Sequence, residues 1–162
     1  MNVVVDVVVE IPKGSQNKYE VDHVSGRIRL DRVLFSPVHY PTDYGYVPET
    51  LGEDEDPIDV MVLISQPTFP GCIVRGRVVG MLAMSDEKGV DTKILAVAED
   101  DPRFREIQEL DQVTPHLLKE ISHFFSVYKT LEGKTTVVGN WEPRTSGEAK
   151  VQESIERYHH GS

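Results

Sequence analysis

The chain has 162 residues, 39% of them hydrophobic and 27% charged, which suits one globular domain with a single core spanning residues 1–162. A formal net charge of −10 argues against a duplex nucleic-acid partner, whose binding draws on a basic face, and no apolar run is long enough to span a bilayer. Cys72 is the only cysteine, so no intrachain disulfide can form, and it reads as a small buried side chain. The first residues lack a basic region followed by an apolar run, and the expected location is cytoplasmic.

Strands come first. Residues 3–11 are rich in β-branched side chains and stop at Pro12. Residues 18–21 and 27–32 flank His23, Val24, Ser25 and Gly26, a hairpin turn by composition. Tyr40 to Tyr46 crowds three phenols into one turn, where aromatic packing with the hydroxyls at the edge is the plain reading. Residues 59–64, 73–84 and 93–98 are further predicted strands, separated by Pro- and Gly-bearing segments such as 66–71. Glu99, Asp100, Asp101 and Pro102 read as the start of a helix-like segment over 103–110.

The period then changes. Thr114 suits an N-cap and Pro115 the first helical position, and Leu117, Ile121, Phe124, Tyr128 and Leu131 recur at helical spacing. Thr145 and Glu148 have capping-box spacing, with Val151, Ile155 and Tyr158 marking a last helix. Met1, His159, His160, Gly161 and Ser162 read as loose ends. Short strands followed by helices give an α+β, mainly β domain, and closing the sheet into a barrel is the natural way to remove its edges.

Five aspartates carry the chemistry. Asp54, Asp56 and Asp59 lie in one acidic turn stiffened by Pro57, and Asp86 and Asp91 follow about thirty residues on, just before Lys93. Carboxylates at this density repel one another unless solvent or bound cations neutralise them. A plain calcium cage has no use for the ammonium of Lys93, whereas a metal-chelated phosphate needs acids and bases side by side. EF-hand spacing is absent, as are the Cys and His pairs of a zinc site. So are the Gly-x-Ser-x-Gly elbow and a Gly-rich phosphate loop. Each of the remaining polar groups has an ordinary explanation: a cross-strand ion pair for Lys18 and Glu20, a solvated strand end for Arg32, the apolar stripe of the helix for Tyr128 and a helix terminus for Lys129.

Taken in order, Glu10-Ile11-Pro12, Lys18-Tyr19-Glu20, Leu30-Asp31-Arg32, Tyr40 to Tyr46, Asp54 to Asp59, Asp86 to Lys93, and His123-Phe124-Phe125 to Tyr128-Lys129 resemble the soluble family I inorganic pyrophosphatases of bacterial type over nearly the whole chain. One position departs from the pattern: Glu55 stands where the family's acidic turn usually has Gly, a strained choice if the loop needs positive φ there. The resemblance implies an OB-like five-stranded closed barrel with flanking C-terminal helices, a homohexamer, and hydrolysis of inorganic pyrophosphate to two orthophosphates with several Mg²⁺ per active site. It implies Asp54, Asp59, Asp86 and Asp91 as metal ligands, with Glu10 and Glu20 extending the acidic wall. Asp56 would be the general base toward a metal-activated water, and Tyr44 would orient water or ligand, with Tyr40 a weaker candidate for that shell. Lys18, Arg32, Lys93, Tyr128 and Lys129 would hold phosphoryl oxygens. Two rivals are a non-enzymatic divalent-metal-binding protein, which has no use for those bases, and an OB-like module for single-stranded nucleic acid, which the negative charge disfavours.

Overall fold

The computed structural model describes residues 2–161, so two of the expected loose ends, Met1 and Ser162, lie outside the described residues. Among the described residues nine strands run in chain order: β1 (Val4–Ile11), β2 (Asn17–Val21), β3 (Ile28–Val33), β4 (Asp43–Tyr46), β5 (Asp59–Leu63), β6 (Ile73–Asp86), β7 (Gly89–Val90), β8 (Lys93–Ala98) and β9 (Thr136–Pro143). Five of them form a mixed sheet in the order β1, β4, β5, β8, β6, and β6 pairs back onto β1, so the hydrogen-bonded ladder closes into a ring. All neighbours in the ring are antiparallel except β5 and β8. β7 and β9 extend the long β6, and β2 with β3 forms a separate hairpin.

The ring is buried on both faces. Along β5, Val60 and Val62 enter one cluster with Val5, Val7, Val78 and Ile94, while Met61 and Leu63 enter another with Ile11, Leu82 and Leu95. Every residue of β8 is buried, which is why that strand reads as a continuous apolar run rather than an alternating one. Helix α1 (Pro115–Val127) covers the second cluster with Ile121, Phe124 and Phe125, the expected stripe. Helix α2 (Arg144–His160) covers the first with Val151. A Cβ at Gly147 would stand 2.7 Å from the Gly80 carbonyl oxygen, so α2 lies on β6 only because that position has no side chain.

Several expectations change. Asp43 to Tyr46 is a strand, not a turn. Asp43 anchors it, fully buried, accepting from the Lys13 N–H at 2.8 Å and from the Thr68 N–H and hydroxyl at 3.1 and 2.6 Å. Segment 103–110 is not a helix: it holds 3₁₀ turns at Pro102–Phe104 and Leu110–Gln112. The buried Arg77 guanidinium donates to the carbonyls of Phe104 and Ile107, taking acceptors a helix would need. Asp101 does cap its turn, accepting from the Arg103 N–H at 3.1 Å. α1 ends before Leu131, which is exposed, and Thr114 makes no side-chain cap. The capping box at Thr145 and Glu148 is not formed: α2 starts at Arg144, and Glu148 instead accepts from the Val3 N–H at 2.9 Å. His159 and His160 lie in the last turn of α2, and Cys72 is partly exposed rather than buried.

Candidate active site

Strand pairing fixes the centre of the site. In the parallel pair β5–β8 the first residues, Asp59 and Lys93, stand side by side. The Lys93 ammonium, 3% exposed, donates to Asp59 at 2.9 Å, to both Asp91 oxygens at 3.0 Å and to the Tyr44 hydroxyl at 2.6 Å. It also lies 5.2 Å from the ring centre of Tyr44 and 5.6 Å from that of Phe125, favourable for a cation. Burial acts against its charge, but Asp59, Tyr44 and Asp91 outweigh it and hold the amine charged, well above its ordinary range.

Two bulges deliver acids to the same place. β1 shifts register against β4 between Val9 and Ile11, which makes Glu10 the extra residue, and β3 shifts against β2 with Asp31 skipped. A Cβ at Gly45, opposite the first bulge, would sit 2.0 Å from the Val8 carbonyl oxygen, so only glycine lets β4 pass there. Glu10 accepts from the Val21 N–H of β2 at 2.8 Å, and Asp31 pairs with Lys18 at 3.4 Å and with Arg32. From the far side, the C-terminal end of α1 contributes Tyr128, stacked on Phe124, and then Lys129, which pairs with Asp86 at 3.5 Å.

These groups face one cavity of about 540 Å³. Every site residue named from the sequence lines it. The acids are Glu10, Glu20, Asp54, Asp56, Asp59, Asp86 and Asp91; the bases are Lys18, Arg32, Lys93 and Lys129; and Tyr40, Tyr44 and Tyr128 form the phenolic wall. Sequence reasoning left out Asp31, Glu87, Lys88 and Lys134, which also line it. Asp31, Glu87 and Lys88 lie inside segments that carry the resemblance, whereas Lys134 sits in a polar turn with no distinguishing signal. The lining holds nine carboxylates against six amines and guanidinia, so the cavity carries an excess of negative charge.

Burial pushes Glu10 up to about 7, and burial raises Asp91 and Asp54 above the ordinary carboxylate range. Asp86 goes the other way: burial acts to raise it, but the Lys88 N–H and Lys129 hold it down. Tyr40 and Tyr44 are raised well above the usual phenol value by burial and keep their protons at neutral pH. In the acidic turn Asp54 accepts from the Asp56 N–H at 3.1 Å, leaving the Asp56 carboxylate exposed to the cavity. Glu55 beside it has φ +69°, the left-handed conformation that glycine adopts without strain.

The donors suit a hard cation. All the acids are oxygen ligands, as Mg²⁺ prefers, and the uncompensated negative charge calls for cations. Among the described residues no three metal-ligating side chains stand close enough to hold an ion unaided. Waters and substrate oxygens would complete any coordination sphere, the usual habit of Mg²⁺.

Known proteins match this chain along nearly its whole length. The sequence model of the inorganic pyrophosphatases matches residues 7–159. The inorganic pyrophosphatase of Streptomyces coelicolor is 53% identical over 154 residues, covering 94% of both chains. That of Geobacillus stearothermophilus is 47% identical over 157 residues, covering 97% of this chain and 95% of its own. The crystal structure of inorganic pyrophosphatase from Thermus thermophilus superposes with a TM-score of 0.94 at 46% identity, over 96% of this chain and 91% of that one. Sequence, fold and pocket thus lead to the same place, and the chain belongs to the family I inorganic pyrophosphatases.

Proposed function

We propose that the cavity hydrolyses magnesium pyrophosphate to two orthophosphates. The observation that supports it most is the buried Lys93 ammonium set among Asp59, Asp91 and Tyr44, with Lys18, Arg32 and Lys129 on the same cavity. Acids alone would suit a metal store, but interleaved acids and bases suit a metal-bound polyphosphate.

Asp54, Asp59, Asp86 and Asp91 are the residues assigned to hold Mg²⁺, with Glu10 and Glu20 on the acidic wall. When bound, Mg²⁺ acidifies water and neutralises phosphoryl oxygens. Asp56, with its carboxylate free, takes the proton of the attacking water as the new P–O bond forms and the bridging P–O bond breaks. Lys18, Arg32, Lys93, Tyr128 and Lys129 bind the phosphoryl oxygens and stabilise charge on the departing orthophosphate. Tyr44 accepts from Lys93, which leaves its own O–H to orient water or a phosphoryl oxygen.

We read the ring of strands as an OB-like closed barrel, residues 1–162 as one domain, and the working form as a cytoplasmic homohexamer. Light scattering tests the last point, the expected mass being that of six 18.3 kDa chains. No helix of the described residues is long and apolar enough to cross a membrane. Phosphate release from pyrophosphate tests the activity. It should require Mg²⁺, vanish in chelator and be inhibited by Ca²⁺, whose larger radius and looser geometry spoil alignment. Full turnover in chelator would overturn the metal assignment.

A further inference from the structure

Arg32 stands on the hairpin β2–β3, which is not hydrogen-bonded into the main sheet, yet this hairpin carries Lys18, Glu20 and Arg32 to the cavity. A guanidinium on a flexible stem recognises phosphoryl oxygens well only when its planar fork is already aimed. The guanidinium meets Glu132. Its side chain is 5% exposed and accepts from the Arg32 Nε at 3.0 Å, across 100 positions of sequence. Asp31 engages the Nη1, and among the described residues Nη2 has no protein partner.

Glu132 is also tied to the opposite wall. It closes the 3₁₀ turn Thr130–Glu132 that follows Lys129, and its own N–H donates to the Lys129 carbonyl at 3.0 Å. The Lys134 N–H donates to that same carbonyl at 3.3 Å. One residue therefore connects Arg32 on the hairpin with Lys129 at the end of α1 through two short bonds. A buried carboxylate next to a cavity already rich in acids is poorly placed unless its charge is used.

We propose that Glu132 is a positioning residue for pyrophosphate hydrolysis: it locks the Arg32 guanidinium with Nη2 free for substrate and sets the span between Arg32 and Lys129. The assignment rests on the active-site reading above. It separates Arg32, which touches substrate, from Glu132, which acts through Arg32.

The test is a double-mutant cycle read by kcat/KM for magnesium pyrophosphate and by thermal midpoint. Glu132→Leu should lower kcat/KM by about ten-fold or more, with a raised KM, whereas Glu132→Gln, which keeps an acceptor for Nε–H, should stay within about three-fold of wild type. In an Arg32→Ala background the Glu132→Leu change should cost less than about two-fold, because the group it serves has gone. An equal loss in both backgrounds would show that Glu132 acts through general stability and overturn the proposal, as would wild-type kinetics in Glu132→Leu. If Glu132→Leu does not fold, Glu132→Asp, too short to reach Nε, carries the same cycle. Failure of the wild-type protein to hydrolyse pyrophosphate would instead sink the active-site reading.

Discussion

Two acidic runs in this chain have nearly the same composition and opposite fates. Glu99, Asp100 and Asp101 are fully engaged by the protein: Glu99 pairs with Arg77 at 2.7 Å, Asp100 with Arg75 at 2.6 Å, and Asp101 accepts from the N–H groups of Ser65 and Arg103. Between Asp54 and Asp59, only Asp59 meets a protein cation, and that cation is itself in the cavity. Asp100 is lowered by its hydrogen bond to Arg75, and Asp101 is held down to about 2 by hydrogen bonds from Ser65 and Arg103, while burial raises Asp54. Acids whose charge the protein satisfies serve structure; acids left in want of positive charge beside a cavity serve a ligand.

The largest expected effect falls on the first run. Asp56→Asn should lower turnover by roughly two to four orders of magnitude, the range for loss of a general base, and leave the fold intact. Asp100→Asn, at an exposed ion pair, should leave turnover within about two-fold of wild type and the denaturant midpoint nearly unmoved. Equal turnover in wild type and Asp56→Asn across neutral pH would remove Asp56 from the mechanism.

Next comes the pH dependence of the metal-free protein. Glu10 rises from an ordinary 4.5 to about 7 on folding, so the folded state holds that proton more tightly than the unfolded chain. Its contribution is greatest with the proton on, and stability falls as pH climbs from 4.5 through 7, by roughly 3 kcal/mol for a shift of this size. Denaturant midpoints from pH 5 to 8 should show the decline, and Glu10→Gln should flatten it. Asp101 gives the opposite sign: its stabilisation is complete above the usual 3.8 and is lost as pH falls toward 2. A rising midpoint between pH 5 and 8 would contradict the burial of Glu10.

The smallest effect concerns Glu55. With φ at +69°, Glu55→Gly should stabilise the protein by up to about 1 kcal/mol, relief of strain being partly offset by greater freedom of the unfolded chain. Turnover should not change, since Glu55 does not line the cavity. A lower denaturant midpoint for Glu55→Gly would show that the loop holds its shape without strain at this residue.

Legibility followed the range of the interactions. Residues 93–98 were readable to the residue because a doubly buried strand leaves an unbroken apolar run, and the stripe of α1 was readable because one face meets the core. β4 was hidden by Gly45 and the crowded phenols, whose strand pairing depends on the β1 bulge. β9 was missed because its identity comes from the long free edge of β6. Segment 103–110 carried true start signals, Asp101 and Pro102, and was kept from helix by Arg77, a residue distant in sequence. In the site, the acids and Lys93 stood out locally, but the convergence of Lys18, Arg32 and Lys129 was legible only through family resemblance. No local spacing encodes it.

The cavity draws its walls from Glu10 through Lys134, and the Asp59–Lys93 pairing at its floor joins two parallel strands that the whole of β6 separates in sequence. Contacts of such sequence separation form late, after local hairpins and helices. On refolding, regained activity should therefore follow the slowest step of ring closure rather than the early return of secondary structure. A nascent chain that stops short of α1 has the acidic turn but lacks the wall that faces it.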